Sequence, residues 1–121
     1  MASETGDDVA LVRELVAALP DFEGLLEMHE FNMDGVLPHV FFWDMTQEVL
    51  ESYMTDSGPN AVWRRTIAFL ENRIGRSEKA DGVIGTSFLF SLPWPGKPGY
   101  GIVAELGPRL RQAFNELRPT G

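Results

Sequence analysis

The amino-acid sequence predicts an all-α fold, a compact bundle of five or six short, mostly antiparallel helices. Three observations lead there. Apolar residues recur at the 3.6-residue period in successive stretches. Proline, glycine or Asp-Gly breaks separate those stretches. The 121 residues are 44% hydrophobic, enough for one ordinary core, and a chain of this size buries roughly two thirds of the surface it exposes unfolded. A single domain over residues 1–121 follows, with 1–6 and 119–121 as flexible ends.

Asp7 or Asp8 caps a first helix whose apolar side is Val9, Val12, Leu15, Val16 and Leu19, and Pro20 marks its end. A second begins near Asp21, with Phe22, Leu25, Leu26, Met28 and Phe31 as its apolar side, and stops at the Asp34-Gly35 turn. Residues 36–43 are apolar all round. Pro38 suits a first helical turn, and Met45, Val49, Leu50 and Tyr53 continue at helical period, which favours a helix over a strand. After the Ser57-Gly58-Pro59 break, Asn60 caps a helix to Ile74 with Trp63, Ile67, Leu70 and Ile74 inward and Arg64, Arg65, Glu71 and Arg73 outward. Residues 83–92 have the β-branched and aromatic content of a strand and two weakening glycines, yet a buried helix is the preferred reading. Pro93, Pro95 and Pro98 with Gly96 and Gly99 form a loop, in which Trp94 is either a clamp on the core or an exposed contact. Gly107-Pro108 opens a last helix with Leu110, Ala113, Phe114 and Leu117 on one side.

The chain has no cysteine, which excludes a disulfide framework, a thiolate metal site and a cysteine nucleophile. Its first eight residues are acidic and lack the basic and apolar regions of a secretory signal, and no apolar run approaches the ~18 residues that span a bilayer. Cytoplasmic residence without a membrane partner is the expectation. Charge divides sharply along the chain. Residues 1–60 carry thirteen acids against Arg13 alone, a net of −12, whereas residues 61–121 carry five acids and nine bases, a net of +4. An anionic half repels nucleic acid and anionic membranes and attracts a basic protein.

Within that half, Glu23, Glu27, Glu30 and Asp34 fall at i, i+4, i+7 and i+11, and Asp44, Glu48 and Glu51 at i, i+4 and i+7, so each set lines one face of a helix. Like charges at i, i+4 destabilise an isolated helix by about 0.2–0.5 kcal/mol per pair. Two readings stay open: a face that is solvated or neutralised within the fold by Arg64, Arg65, Arg73 and Arg76, or a landing surface for a basic partner. Metal binding is not expected, because the Asp/Asn/Gly spacing of a calcium loop is missing.

No catalytic constellation emerges. His29 beside Glu30 and His39 before Asp44 match no ligand or acid-base spacing, and His39 suits a structural bond to a backbone carbonyl at a helix start. Ser87 stands in Gly85-Thr86-Ser87-Phe88-Leu89, which is not a nucleophile elbow. Gly96-Lys97-Pro98 is not a phosphate loop. The bases Arg64, Arg65, Arg73, Arg76 and Lys79 lack the aromatic interleaving of a nucleic-acid surface. Neither enzyme activity nor a cofactor is expected.

Four segments resemble a bacterial family of unknown domain function grouped with the immunity proteins of polymorphic toxin systems. They are Phe22-Glu23-Gly24-Leu25-Leu26-Glu27, residues 35–44 around Leu37-Pro38-His39, Asp81-Gly82-Val83-Ile84 leading to Ser87-Phe88-Leu89, and Leu106-Gly107-Pro108-Arg109-Leu110, in the family's order over residues 20–112. The Ser-Phe-Leu segment departs from the family's usual Glu-Asn continuation, with Phe90 and Ser91 in those places. The resemblance implies a helical protein that neutralises a cognate toxin by binding it, and it carries over no catalytic residue. On this reading Glu23, Glu27, Glu30, Asp34, Asp44, Glu48 and Glu51 contact the toxin's basic surface. The alternative is a small helical adaptor acting through an apolar oligomerisation surface at Phe90 and Trp94.

Overall fold

A computed structural model describes residues 6–121, and those residues form an all-α bundle with no strand. The helices are α1 (Asp7–Ala18), α2 (Glu23–Met33), α3 (Pro38–Thr55), α4 (Val62–Arg73), α5 (Glu78–Val83) and α6 (Pro108–Leu117). A 3₁₀ turn, Pro20–Phe22, precedes α2, a π-helical segment, Ile84–Leu89, continues α5, and a 3₁₀ helix, Tyr100–Glu105, precedes α6. Of the flexible end expected at 1–6, residues 1–5 lie outside the described residues. At the other end, Gly121 donates its backbone N–H to the Arg118 carbonyl at 3.1 Å.

Helix α3 is the centre of the bundle, lying against α1, α2, α4 and the π segment. It buries Phe41, Phe42, Met45, Thr46 and Val49, and Pro38 stands in its first turn, where a missing N–H costs no hydrogen bond. The expected inner faces of α1 and α4 are also found, with Val9, Val12, Leu15, Trp63, Ile67 and Leu70 buried, while on α6 Leu110 and Phe114 are buried but Leu117, expected on the same side in the last turn, is exposed.

Helix ends differ from the sequence reading in two places. Gly6, rather than Asp7 or Asp8, is the N-cap of α1; Asp7 instead accepts the Ser77 hydroxyl at 3.0 Å. Ala61, rather than Asn60, precedes α4. A third end is closed from outside. No side chain of its own caps α6, but the Glu71 carboxylate on α4 accepts the Arg109 and Leu110 N–H groups at 2.9 and 3.0 Å. Glu71, read as outward-facing, is therefore half-buried.

Of the segment 83–92, residues 83–89 are helical, as preferred, but 84–89 have π geometry and 90–92 form a turn. Phe90 N–H reaches the Gly85 carbonyl at 2.9 Å, five residues back, and the Thr46 hydroxyl from α3 donates to the Ser87 carbonyl at 3.3 Å. An inserted side-chain donor of this kind is a physical cause of such a bulge.

Candidate docking surface

The turn of α2 is the largest departure from the sequence reading. Leu26 and His29 are its buried residues, whereas Met28 and Phe31, assigned to the core side, are 61% and 86% exposed. His29 takes the inner position because its Nε2 accepts the Leu37 N–H at 2.9 Å and its ring meets Phe41 edge-on at 5.8 Å. Acceptance at Nε2 places the proton of the neutral ring on Nδ1.

Both acidic rows reach the surface. Glu23, Glu27, Asp44, Glu48 and Glu51 are exposed on α2 and α3, and Asp34 is exposed just past α2, where its left-handed backbone (φ 57°) ends the helix. Of the seven carboxylates, Glu30 is half-buried and pairs with Arg13 at 3.1 Å; the other six have no ion-pair partner among the described residues. Burial raises the Glu48 carboxyl above its ordinary value, and the charges of Glu51 and Asp44 push it the same way. At this end of α3 a groove of about 440 Å³ gathers Asp21, Glu48, Glu51 and Asp56 over Phe22 and Val62.

Of the four arginines that were candidates to neutralise these rows, Arg64, Arg65 and Arg73 are engaged elsewhere. Arg65 grips Asp21 through two hydrogen bonds of 2.9 Å and holds that carboxyl below its usual range. Arg73 pairs with Glu14, Lys79 with Asp8 at 3.7 Å, and Arg64 lies over the Trp63 ring at 4.3 Å with its Nε on the Gly58 carbonyl.

Phe90 and Trp94 are 47% and 42% exposed and meet edge-to-face at 5.9 Å. Of the two roles open to Trp94, the structure shows the clamp. One face covers Arg118, a residue 2% exposed whose guanidinium carbon lies 3.8 Å from the ring centre. Arg118 has no Asp or Glu partner among the described residues; it donates to backbone oxygens of Leu89, Leu92, Pro93 and Gly121. Desolvation lowers its pKa.

His39 does not bond a backbone carbonyl. Its Nδ1 lies 2.6 Å from the Ser87 hydroxyl, joining the start of α3 to the π segment. A serine at hydrogen-bond distance from a histidine is half of a nucleophile arrangement. Ser87 is 1% exposed, however, and the pair lies within the fold as a latch between the two elements. No group of three or more metal-ligating side chains occurs among the described residues. A separate cleft of about 660 Å³, lined by Asp81, Thr86, Arg109, Gln112 and Glu116 among others, lies between α5, the π segment and α6 and includes none of the predicted contact residues. No helix among the described residues is long and apolar enough to cross a membrane.

Comparison of the chain with protein-family models, with curated proteins and with solved structures finds no match.

Proposed function

We propose that this protein is an immunity protein, an inhibitor that neutralises a cognate bacterial toxin by binding it directly through the acidic surface of α2 and α3. One observation carries the reading: Glu23, Glu27, Asp34, Asp44, Glu48 and Glu51 are exposed without a cationic partner among the described residues. The fold tolerates their mutual repulsion without internal relief. A cationic partner supplies that relief, and the field of the rows speeds encounter and rejects anionic competitors. The resemblance of four segments to a family of unknown domain function grouped with immunity proteins points to the same reading.

The test is protection. Cells expressing the toxin encoded beside this chain survive when the wild-type chain is co-expressed. The double variant Glu27→Lys/Glu48→Lys loses protection while its circular dichroism stays helical. Undiminished protection by that variant removes the acidic rows from the mechanism.

The exposed Phe90–Trp94 pair favours a second reading, an adaptor that oligomerises through this patch. Light scattering separates the two. An oligomer that persists in high salt and dissociates on Phe90→Ser supports the adaptor, because apolar contacts are not screened.

A further inference from the structure

The outward sector of α2 is apolar, and it runs between the two acidic rows. At about 100° per residue, Phe31 lies about 40° and Met28 about 100° round the helix from Glu27, on the side away from Glu30. Glu30 faces α1, where Arg13 holds it. His29, on the opposite flank, faces α3 through Phe41, and Phe41 shares its side of α3 with Glu48 and Asp44 at helical spacing. Crossing the surface from α1 to α3 therefore meets the α2 carboxylates, then Phe31 and Met28, then the α3 carboxylates. Gly24 continues the crest at i, i+4 and i+7 with Met28 and Phe31. Nothing in the fold approaches within 4 Å of the Cβ that Gly24 lacks, so no internal contact accounts for a glycine there.

We infer that the partner lays a cationic amphipathic helix along α2, with Gly24, Met28 and Phe31 as the apolar seam and the two carboxylate rows flanking its lysines and arginines. The inference rests on the acidic-docking reading and adds its anchor. A helix fits because the crest has helical spacing, and the Gly24 notch lets a second backbone come close. A second copy of this chain is disfavoured, since pairing crest to crest brings carboxylate rows together. Phe31, the most exposed large apolar side chain among the described residues at 86%, is the central anchor, in the manner of aromatic hot spots ringed by polar contacts.

The probe is a synthetic helical peptide of about 18 residues, long enough to be helical in isolation, with a leucine stripe flanked by lysines. A second peptide of identical composition has its order scrambled so that no stripe forms. Titration calorimetry with the full chain at low salt is expected to show the ordered peptide binding at least about tenfold more tightly. Phe31→Ser abolishes that preference without unfolding the protein. Gly24→Gln weakens the ordered peptide alone. Glu27→Lys/Glu48→Lys weakens both peptides. If the two peptides bind alike, or Phe31→Ser keeps the preference, the seam is refuted while charge-dependent binding leaves the acidic reading standing. If neither peptide binds, both readings fall. A wild-type dimer that Phe31→Ser converts to monomer assigns the crest to self-association and overturns the proposal.

Discussion

Replacing Glu71 by alanine removes the carboxylate that closes the start of α6 from the neighbouring helix, and the structure supplies the parts of the cost. Two N–H groups, Arg109 and Leu110, lose their acceptor. Loss of an N-cap acceptor costs about 1 kcal/mol, and loss of a negative charge at a helix N-terminus adds about 0.3–1 kcal/mol. Glu71→Ala should therefore destabilise by about 1.5–2 kcal/mol, lowering the melting temperature by about 5–8 °C in a domain of this size. Gly107 provides the cross-check. A Cβ there would sit 2.5 Å from the Glu71 carboxyl carbon, although the backbone at φ −70°, ψ 173° is open to any L-residue. Gly107→Ala should then cost about 1–2 kcal/mol in the wild type, by driving Glu71 off the helix start. In the Glu71→Ala background the obstruction is gone, and Gly107→Ala becomes neutral or stabilises by up to about 1 kcal/mol through the unfolded chain. Urea denaturation of the four proteins, followed by far-ultraviolet circular dichroism, measures the cycle. Additive costs would refute the proposed cap.

Phe31→Ser should change stability by less than about 0.5 kcal/mol, whereas Phe41→Ala should cost about 3–5 kcal/mol; equal losses in chemical denaturation would mean α2 is turned differently. Glu48 has a raised folded-state pKa, so its ionised form is disfavoured by folding; Glu48→Gln should stabilise slightly at neutral pH, and the gain should vanish as pH falls through the folded pKa and both proteins become neutral there. Asp21 has the opposite sign. Its stabilising pair with Arg65 is present above the ordinary carboxylate range and lost as pH falls through its lowered pKa, so Asp21→Asn should cost at most about 1 kcal/mol at neutral pH and progressively less in acid. A fluorophosphonate probe should leave buried Ser87 unlabelled; labelling that His39→Ala abolishes would contradict the latch.

Most of the fold was legible because tertiary burial coincides with simple period in α1, α3, α4 and α6. Helix α2 was misread in phase for a definite reason. Its apolar residues offer two stripes: Leu25, Met28 and Phe31 compete with Phe22, Leu26 and Met33, and only a polar residue, His29, completes the second. The Leu37 N–H and the Phe41 edge that satisfy His29 come from α3, beyond any local window. Glu71 was equally invisible, since its partners lie 38 and 39 residues away. The acidic rows could be read directly from spacing. That Arg64, Arg65 and Arg73 leave them uncompensated could not, because each is held by a residue distant in sequence or by the ring beside it. Phe31 and Met28 gave one local signal, their i, i+3 spacing within the acidic run, and hydrophobicity alone assigned that signal to the core.

The central claim is that unpaired carboxylates on α2 and α3 guide a basic partner to this face. Its most direct measurement is the association rate of the purified chain with the proposed partner toxin between low and physiological salt, for the wild type and for Glu27→Lys/Glu48→Lys. The account predicts a wild-type rate that falls steeply as salt rises and a variant rate that is slow and nearly flat. A wild-type rate indifferent to salt, or a variant that associates as fast as the wild type, would contradict it.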